Sequence, residues 1–377
     1  MKKRKLRVAV IGAGAFGGWS ALYLQRAGTQ VTLIDAWGPG NSRSSSGDET
    51  RIIRGTYGVD HIYTDLAARA LQLWRTNERK WKRCFLHRIG VLWMAAGDDS
   101  YERNSLCALR TAKIPYQELS PRQLTKRWPQ INFNQVEWAV FEPESGYLSA
   151  RAACLAVAEE FVAEGGTFHQ ASVLTEGLDA GAWKELNLSD GSRQRADMYV
   201  FACGPWMGQV FPNTIGRRIE STKQELFYFG PPADDHRYDD RHLPVWGDHR
   251  DRFMYGIPGN QGRGFKVADD TRGPAFDPTH GERIVNPEQL RLVREYMAFR
   301  FPGMKDAPLV ETRVCQYEQT VDSHFIVDRH PGKENVWLLG GGSGHGFKHG
   351  PALGELVAKL ILKNGEGPAV WKLNRFP

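Results

Sequence analysis

A chain of 377 residues exceeds the roughly 250 to 300 that one hydrophobic core supports, so two interleaved lobes are expected. Apolar residues make up 41% and charged residues 24%, and no segment approaches the roughly 18 uninterrupted apolar residues of a membrane span, which excludes an integral helical membrane protein. The net charge of +6 is dispersed apart from the KKRK tip and comes with no RNA-binding aromatic motif or helix-turn-helix signature, so it is expected to attract a small anion, or merely to aid solubility, rather than to bind nucleic acid.

In chain order, residues 7–11 (RVAVI) predict a buried strand, 16–28 a helix and 30–35 (QVTLID) a second buried strand, a βαβ opening. Residues 36–50, rich in Gly and Ser, predict a loop, and YTDLAARALQLWRTNERKW (63–81) a long amphipathic helix. Short strands and helices follow from residue 88 and end in the strand-like VEWAVFEPESGYL. SARAACLAVAEEFVAEGG predicts a helix with Ser149 as N-cap and Gly165 as its stop. TFHQASV, ELNLSDGS and ADMYVFACG return to strands of the first segment's character. Residues 216–313 predict antiparallel sheet with turns at GPPADD and GIPGNQGRG and one helix at 287–301.

The basic start followed by apolar residues has the outline of a secretory leader. Gly12, Gly14 and Gly17 and the second run VTLID nevertheless keep a spacing that a discarded leader has no reason to preserve. Five cysteines (Cys84, Cys107, Cys154, Cys203 and Cys315) show no CxxC spacing, and their odd count argues against a disulfide framework or a zinc site. A reducing cytoplasm is the expected compartment, and no metal is expected.

The three glycines directly after a buried strand fit a dinucleotide-binding turn: one for the tight turn, one for close approach to a pyrophosphate, one for helix–strand packing. Asp35, eighteen residues after Gly17, ends the second strand where an acid can accept hydrogen bonds from ribose hydroxyls. The motif leaves nicotinamide and flavin open. The polar loop that interrupts the βαβ pattern, and the later return of YVFACGPW, favour a flavin protein whose dinucleotide domain is assembled from separate stretches.

Five stretches in order, VIGAGAFG, GDETRIIRGTYG, FEPESGYL, CQYEQTVDSHFIVDRHP and GSGHGFKHGPALGE, span nearly the whole chain. Through them the sequence resembles the flavin amine oxidases related to monomeric sarcosine oxidase and N-methyltryptophan oxidase, within the D-amino-acid-oxidase-like superfamily. The expected fold class is mixed α/β (α+β), with a discontinuous Rossmann-like FAD-binding domain (1–85, 149–215 and 314–377) and an antiparallel-sheet substrate domain (86–148 and 216–313). The resemblance implies FAD held by Gly12, Gly14, Gly17, Asp35, Ser46, Thr50, Arg51, Val173, Gly344, Gly346 and Lys348, and joined covalently through Cys315. On composition alone a lone strand cysteine is a buried small hydrophobe.

Arg51 and Arg54 stand three apart in TRIIR, on one face if that segment is helical, and could bring two cations to a flavin edge and a substrate carboxylate. A solvated basic turn is the plainer account. The resemblance implies that Arg54 and Lys348 clamp the carboxylate, that Arg51 lies near the flavin ring, and that Tyr317 lines the substrate pocket. Lys266 matches the lysine that family oxidases place beside the flavin for oxygen activation, although by itself it reads as a strand lysine facing solvent. Glycines 340–342, 344 and 346 permit backbone to lie flat against a ring.

Two departures stand out: SSSGDETR where relatives carry HHGDTR, and Asp270 where relatives often have histidine. The implied activity is oxidation of a C–N bond in an N-methyl, cyclic or primary L-amino acid, giving an imine and, from O2, hydrogen peroxide, in a monomer. A dehydrogenase passing electrons to a quinone or carrier, and a non-catalytic nucleotide-binding scaffold, are the alternatives.

Overall fold

The computed structural model describes residues 4–178 and 185–376, so part of the KKRK tip lies outside the described residues. The apolar runs near the start pair as parallel neighbours. Arg7–Ile11 lies between Gln30–Asp35 and Met198–Phe201, and Thr167–Gln170 on one side with Lys333–Gly340 and Ile326–His330 on the other complete a six-stranded sheet. All neighbours run parallel except the last two, which are antiparallel. A parallel sheet is covered on both faces, so its strands are apolar throughout. Val8, Ala9, Val10, Leu33 and Ile34 are accordingly buried.

Helix Ala15–Arg26 follows the first strand and packs along helix Gly350–Leu362. A Cβ on Gly354 would stand 2.6 Å from the Trp19 carbonyl carbon and one on Gly350 2.5 Å from the Trp19 ring, so the two helices meet at a separation only glycine permits.

The second sheet has eight strands in the order Leu309–Thr320, Ile219–Phe229, Phe265–Asp269, Met254–Ile257, Val245–Asp248, Val91–Ala95, Trp138–Glu142 and Gln117–Leu119. Antiparallel pairing was the expectation, and one pair departs from it: Val245–Asp248 runs parallel to Val91–Ala95. These two strands come from distant stretches of chain and meet in mid-sheet, with no hairpin to force them antiparallel. Leu309–Thr320 pairs along its length with Ile219–Phe229, so it crosses the expected boundary at 314 unbroken. A small sheet of Thr50–Ile53, Gly146–Ser149 and Leu86–His87 completes the set described by these pairings.

The other helices appear where expected, at His61–Trp81, Ala150–Ala163 and Pro287–Arg300. Two local expectations are corrected, and the conditional helical reading of TRIIR does not apply. Thr50–Ile53 is a strand paired with Gly146–Ser149, and Arg54 follows it. Ser149 occupies the N-cap position without capping: it ends that partner strand, and its hydroxyl lies 3.1 Å from His87 Nε2 instead. Within ELNLSDGS the pairing is short: Leu186–Asn187 pairs with Arg193–Gln194 just beyond it, and Leu188 makes a single bridge to Val173. Among the described residues no helix is long and apolar enough to cross a membrane.

Candidate active site

The first strand ends in a turn that demands glycine. Gly12 has φ +105°, and a Cβ there would lie 2.2 Å from the Ala202 carbonyl oxygen. A Cβ on Gly17 would lie 1.8 Å from the Gly12 carbonyl oxygen, whereas Gly14 faces open space apart from the Ser46 hydroxyl. The helix N-terminus beyond is left bare, with Ala15 N–H donating to Ser46 Oγ at 3.1 Å. The Asp35 carboxylate accepts from the N–H groups of Ala13 (2.7 Å), Trp37 (2.9 Å) and Gly38 (2.8 Å), while burial pushes its pKa up.

A cavity of about 300 Å³ opens over this turn. Its wall runs from Asp35 and Val173 past Gly12, Gly14 and Ser46 to Arg51, Tyr317, Gly344 and Gly346. These features suit a flavin dinucleotide: amide donors and a helix dipole for a diphosphate, and bare backbone for a flat ring. Gly344, at φ +78°, is bare of necessity, since a Cβ would meet the Tyr317 ring at 2.5 Å. Glu318 also lines the cavity; Gly342 N–H donates to its Oε1 at 3.2 Å, while its buried Oε2 has no hydrogen-bond partner among the described residues. Burial raises the Glu318 pKa to about 7.

Asp48 gathers the cations behind this wall. Its Oδ2 accepts from Lys266 Nζ and from Arg51 Nη1 (2.6 Å), and its Oδ1 from Tyr228 Oη (2.7 Å). Burial disfavours its charge, but Lys266 and Arg51 outweigh that and hold it well below the usual carboxylate range. Lys266 is 1% exposed, which rules out the solvent-facing reading, and burial lowers its pKa. Arg51 Nη2 also donates to Cys315 Sγ at 3.3 Å. Thr50 takes part through its carbonyl, which accepts from Lys266 at 3.1 Å.

A smaller cavity of about 60 Å³ adjoins the first, and Arg51, Tyr317, Gly344 and Phe347 line both. Arg54, Lys266, Asp270 and Lys348 converge on it between walls of Trp93, Phe253 and Tyr255. The Arg54 guanidinium lies 4.1 Å from the Tyr57 ring centroid and 4.8 Å from that of Trp93, and donates to Thr56 O and to Tyr101 Oη at 2.9 Å. Buried Glu142 anchors its loop by accepting from Gly55 N–H (2.7 Å), Thr56 N–H (3.1 Å) and Trp93 Nε1 (3.3 Å). Lys348 Nζ donates to Tyr57 Oη (2.9 Å) and His345 O (2.7 Å), and burial with Arg54 nearby pushes its pKa well down. Among the described residues, neither Arg54 nor Lys348 has a carboxylate at salt-bridge distance. Tyr317 Oη donates to Asp270 Oδ1 at 2.9 Å.

The smaller cavity thus collects Arg51, Arg54, Lys266, Tyr317 and Lys348, the whole expected catalytic set, plus Thr50 and Gly344. Arg51 and Arg54 arrive there from a strand and the residue after it, not from a helix face. Sequence reasoning missed Asp48, Glu142 and Glu318. GDETR displays Asp48 beside Arg51, a visible signal; nothing local marks Glu142 or Glu318, whose surroundings come from distant strands. It also missed the aromatic walls Trp93, Phe253 and Tyr255, and Tyr57 and Tyr101 against Arg54.

Bare glycine turn, acid-tipped second strand and adjoining cavities define a dinucleotide-binding α/β protein with a second, small-molecule chamber. The chain belongs to the FAD dependent oxidoreductase family, whose model matches residues 7–360. It is 29% identical over 381 residues to monomeric sarcosine oxidase from Bacillus sp. (strain B-0618), covering 98% of this chain and 95% of that one. It is 28% identical over 385 residues to N-methyl-L-tryptophan oxidase from Yersinia pestis (strain Pestoides F), covering 97% and 98%. Among solved structures, L-proline dehydrogenase from P. horikoshii has the same fold at a TM-score of 0.85 and 22% identity, covering 99% of this chain and 98% of that one.

Proposed function

We propose that this oxidoreductase oxidises a C–N bond of a small amino acid, N-methylated, cyclic secondary or primary, to an imine that water hydrolyses. One observation carries the reading: Arg54 and Lys348 face the smaller cavity beside the cofactor cavity, and among the described residues no carboxylate stands at salt-bridge distance from either, Asp270 alone sharing the cavity with them. Two buried cations so placed can take a further anion, because a buried charge left unpaired costs on the order of 3 to 5 kcal/mol. A substrate carboxylate fills that need.

The large cavity takes FAD, with the diphosphate at the Ala15 helix N-terminus, a ribose at Asp35 and a ring against Gly344. Cys315 is the proposed tether, its sulfur 3.3 Å from Arg51 Nη2. When bound, FAD supplies acceptance of a hydride and delivery of two electrons to O2, giving hydrogen peroxide. The chain's own residues do the rest. Arg54 and Lys348 hold the carboxylate, so binding energy remote from the reacting carbon fixes its orientation. Trp93, Phe253 and Tyr255 exclude water from the chamber. Lys266 brings a cation to it that can stabilise negative charge developing on oxygen.

The relatives' names support the amino acid substrate, and a monomer is proposed on the same ground. A panel of N-methyl, cyclic and primary amino acids assayed for peroxide is the test; no peroxide and no anaerobic bleaching with any of them would end this reading. Bleaching without peroxide would favour a dehydrogenase serving a quinone or carrier. The Asp48–Lys266 pair favours that second reading, because the carboxylate offsets the lysine's charge.

A further inference from the structure

Building on the carboxylate clamp proposed above, we infer that Asp270 is the opposite pole of the chamber: it receives the substrate's ammonium group and takes its proton. The chamber would then select small zwitterions over plain carboxylic acids.

Asp270 follows strand Phe265–Asp269 and lines the same 60 Å³ cavity as Arg54 and Lys348. Its backbone N–H donates to Phe253 O at 2.9 Å, and Tyr317 Oη donates to its Oδ1, so the backbone is anchored and one carboxyl oxygen is held. Among the described residues none donates to Oδ2, and this oxygen retains an open acceptor site. An acid beside two cations is what an amino acid's two charges require. The step balances simply: the ammonium N–H proton moves to Asp270, leaving a carboxylic acid and a neutral amine. Only the neutral amine has the lone pair that becomes the second C–N bond when hydride leaves the adjacent carbon.

The surroundings suit that exchange. Burial raises the Asp270 pKa to about 6, against the opposing effects of the Tyr317 hydrogen bond and of Arg54 and Lys348. Asp269 next to it is occupied by Arg252 at 2.5 Å. Tyr255 and Tyr317 are held neutral by burial, and His345 is pushed down to about 3 by burial and Lys348. Arg51 and Lys266 share Asp48, and Glu142 lies beyond Arg54. Of the other groups around the cavity, Lys348 and Lys266 also have their pKa driven down by burial, Lys348 the further.

Two pH profiles on the intact holoenzyme test this. In wild type, kcat/KM for a reactive amino acid should rise through a limb near pH 6 as Asp270 ionises. Propanoate, an anion without an amine, should bind more tightly below that limb, read from the flavin's visible spectrum. Asp270→Asn should bind propanoate at least as tightly as wild type at pH 8, lose at least 30-fold in kcat/KM, and lose the limb near pH 6, while any limb owed to Lys348 stays. If the Asn variant keeps kcat/KM within threefold and keeps the limb, Asp270 is not the ammonium pole. Opposite slopes for the two ligands in wild type support the assignment without any variant; parallel slopes overturn it. Propanoate that binds neither enzyme overturns the clamp itself, a different failure from loss of Asp270's role.

Discussion

At the scale of single residues, the site is a contest between burial and compensation. Arg54 sits between two aromatic faces and, among the described residues, hydrogen-bonds only to backbone and phenol, so its charge is available to a ligand. Arg54→Met should cost about 2 to 5 kcal/mol of transition-state stabilisation, the range for breaking a desolvated charge pair, and a fall in kcat/KM below threefold would count against the clamp. Glu318 poses the reverse case. Its pKa rises from the ordinary 4.5 to about 7 in the fold because burial disfavours the charge. Below pH 4.5 folded and unfolded chains are both protonated and nothing is lost. Between there and about 7 the unfolded chain ionises first, so stability falls with rising pH and the full penalty, about 3 kcal/mol, stands above it. FAD-free Glu318→Gln protein should therefore be more stable than wild type at pH 8 and equal to it at pH 4, by urea titration; equal midpoints at pH 8 would contradict the assignment.

At the scale of elements, close approach is bought with glycine. Helix Ala15–Arg26 and helix Gly350–Leu362 touch through Gly350 and Gly354 against Trp19, whose ring also stacks on Trp81 at 5.5 Å. Gly354→Ala puts a methyl against backbone that cannot yield, so a loss of about 1 to 3 kcal/mol and a lower Tm are expected. Sequence legibility follows the same line. RVAVI, the three glycines and QVTLID form one continuous unit whose contacts are local, and the strand, turn and helix emerged as read. The secondary structure of TRIIR stayed open in the sequence because its strand partner lies about a hundred residues on, at Gly146–Ser149, and spacing alone cannot reveal a partner. Asp270 and Glu318 showed as residue types without context. Their burial depends on pairings between strands far apart in the chain, which periodicity does not encode.

At the scale of the whole molecule, the cofactor cavity joins the turn after the first strand to loops from three later stretches, carrying Ser46, Val173 and Gly344. Occupying it ties these stretches together, so the cofactor should act as a structural staple. Tethered through Cys315, it should leave acid-precipitated wild type yellow and make Tm indifferent to dilution. Cys315→Ser should release the colour to the supernatant and make Tm rise with added FAD, by about 2.7 kcal/mol of stability at a hundredfold excess over Kd. A colourless pellet from wild type would remove the tether and leave the fold's need for FAD intact.

Strand Leu309–Thr320 carries Cys315, Tyr317 and Glu318 within four positions, and its neighbour Ile219–Phe229 holds it in register along its length. One β-strand therefore serves both chambers, and a shift of its backbone would disturb flavin and amino acid alike. Remodelling the enzyme toward larger amino acids has a safer route through Trp93 and Phe253, which belong to other segments and border the smaller chamber alone.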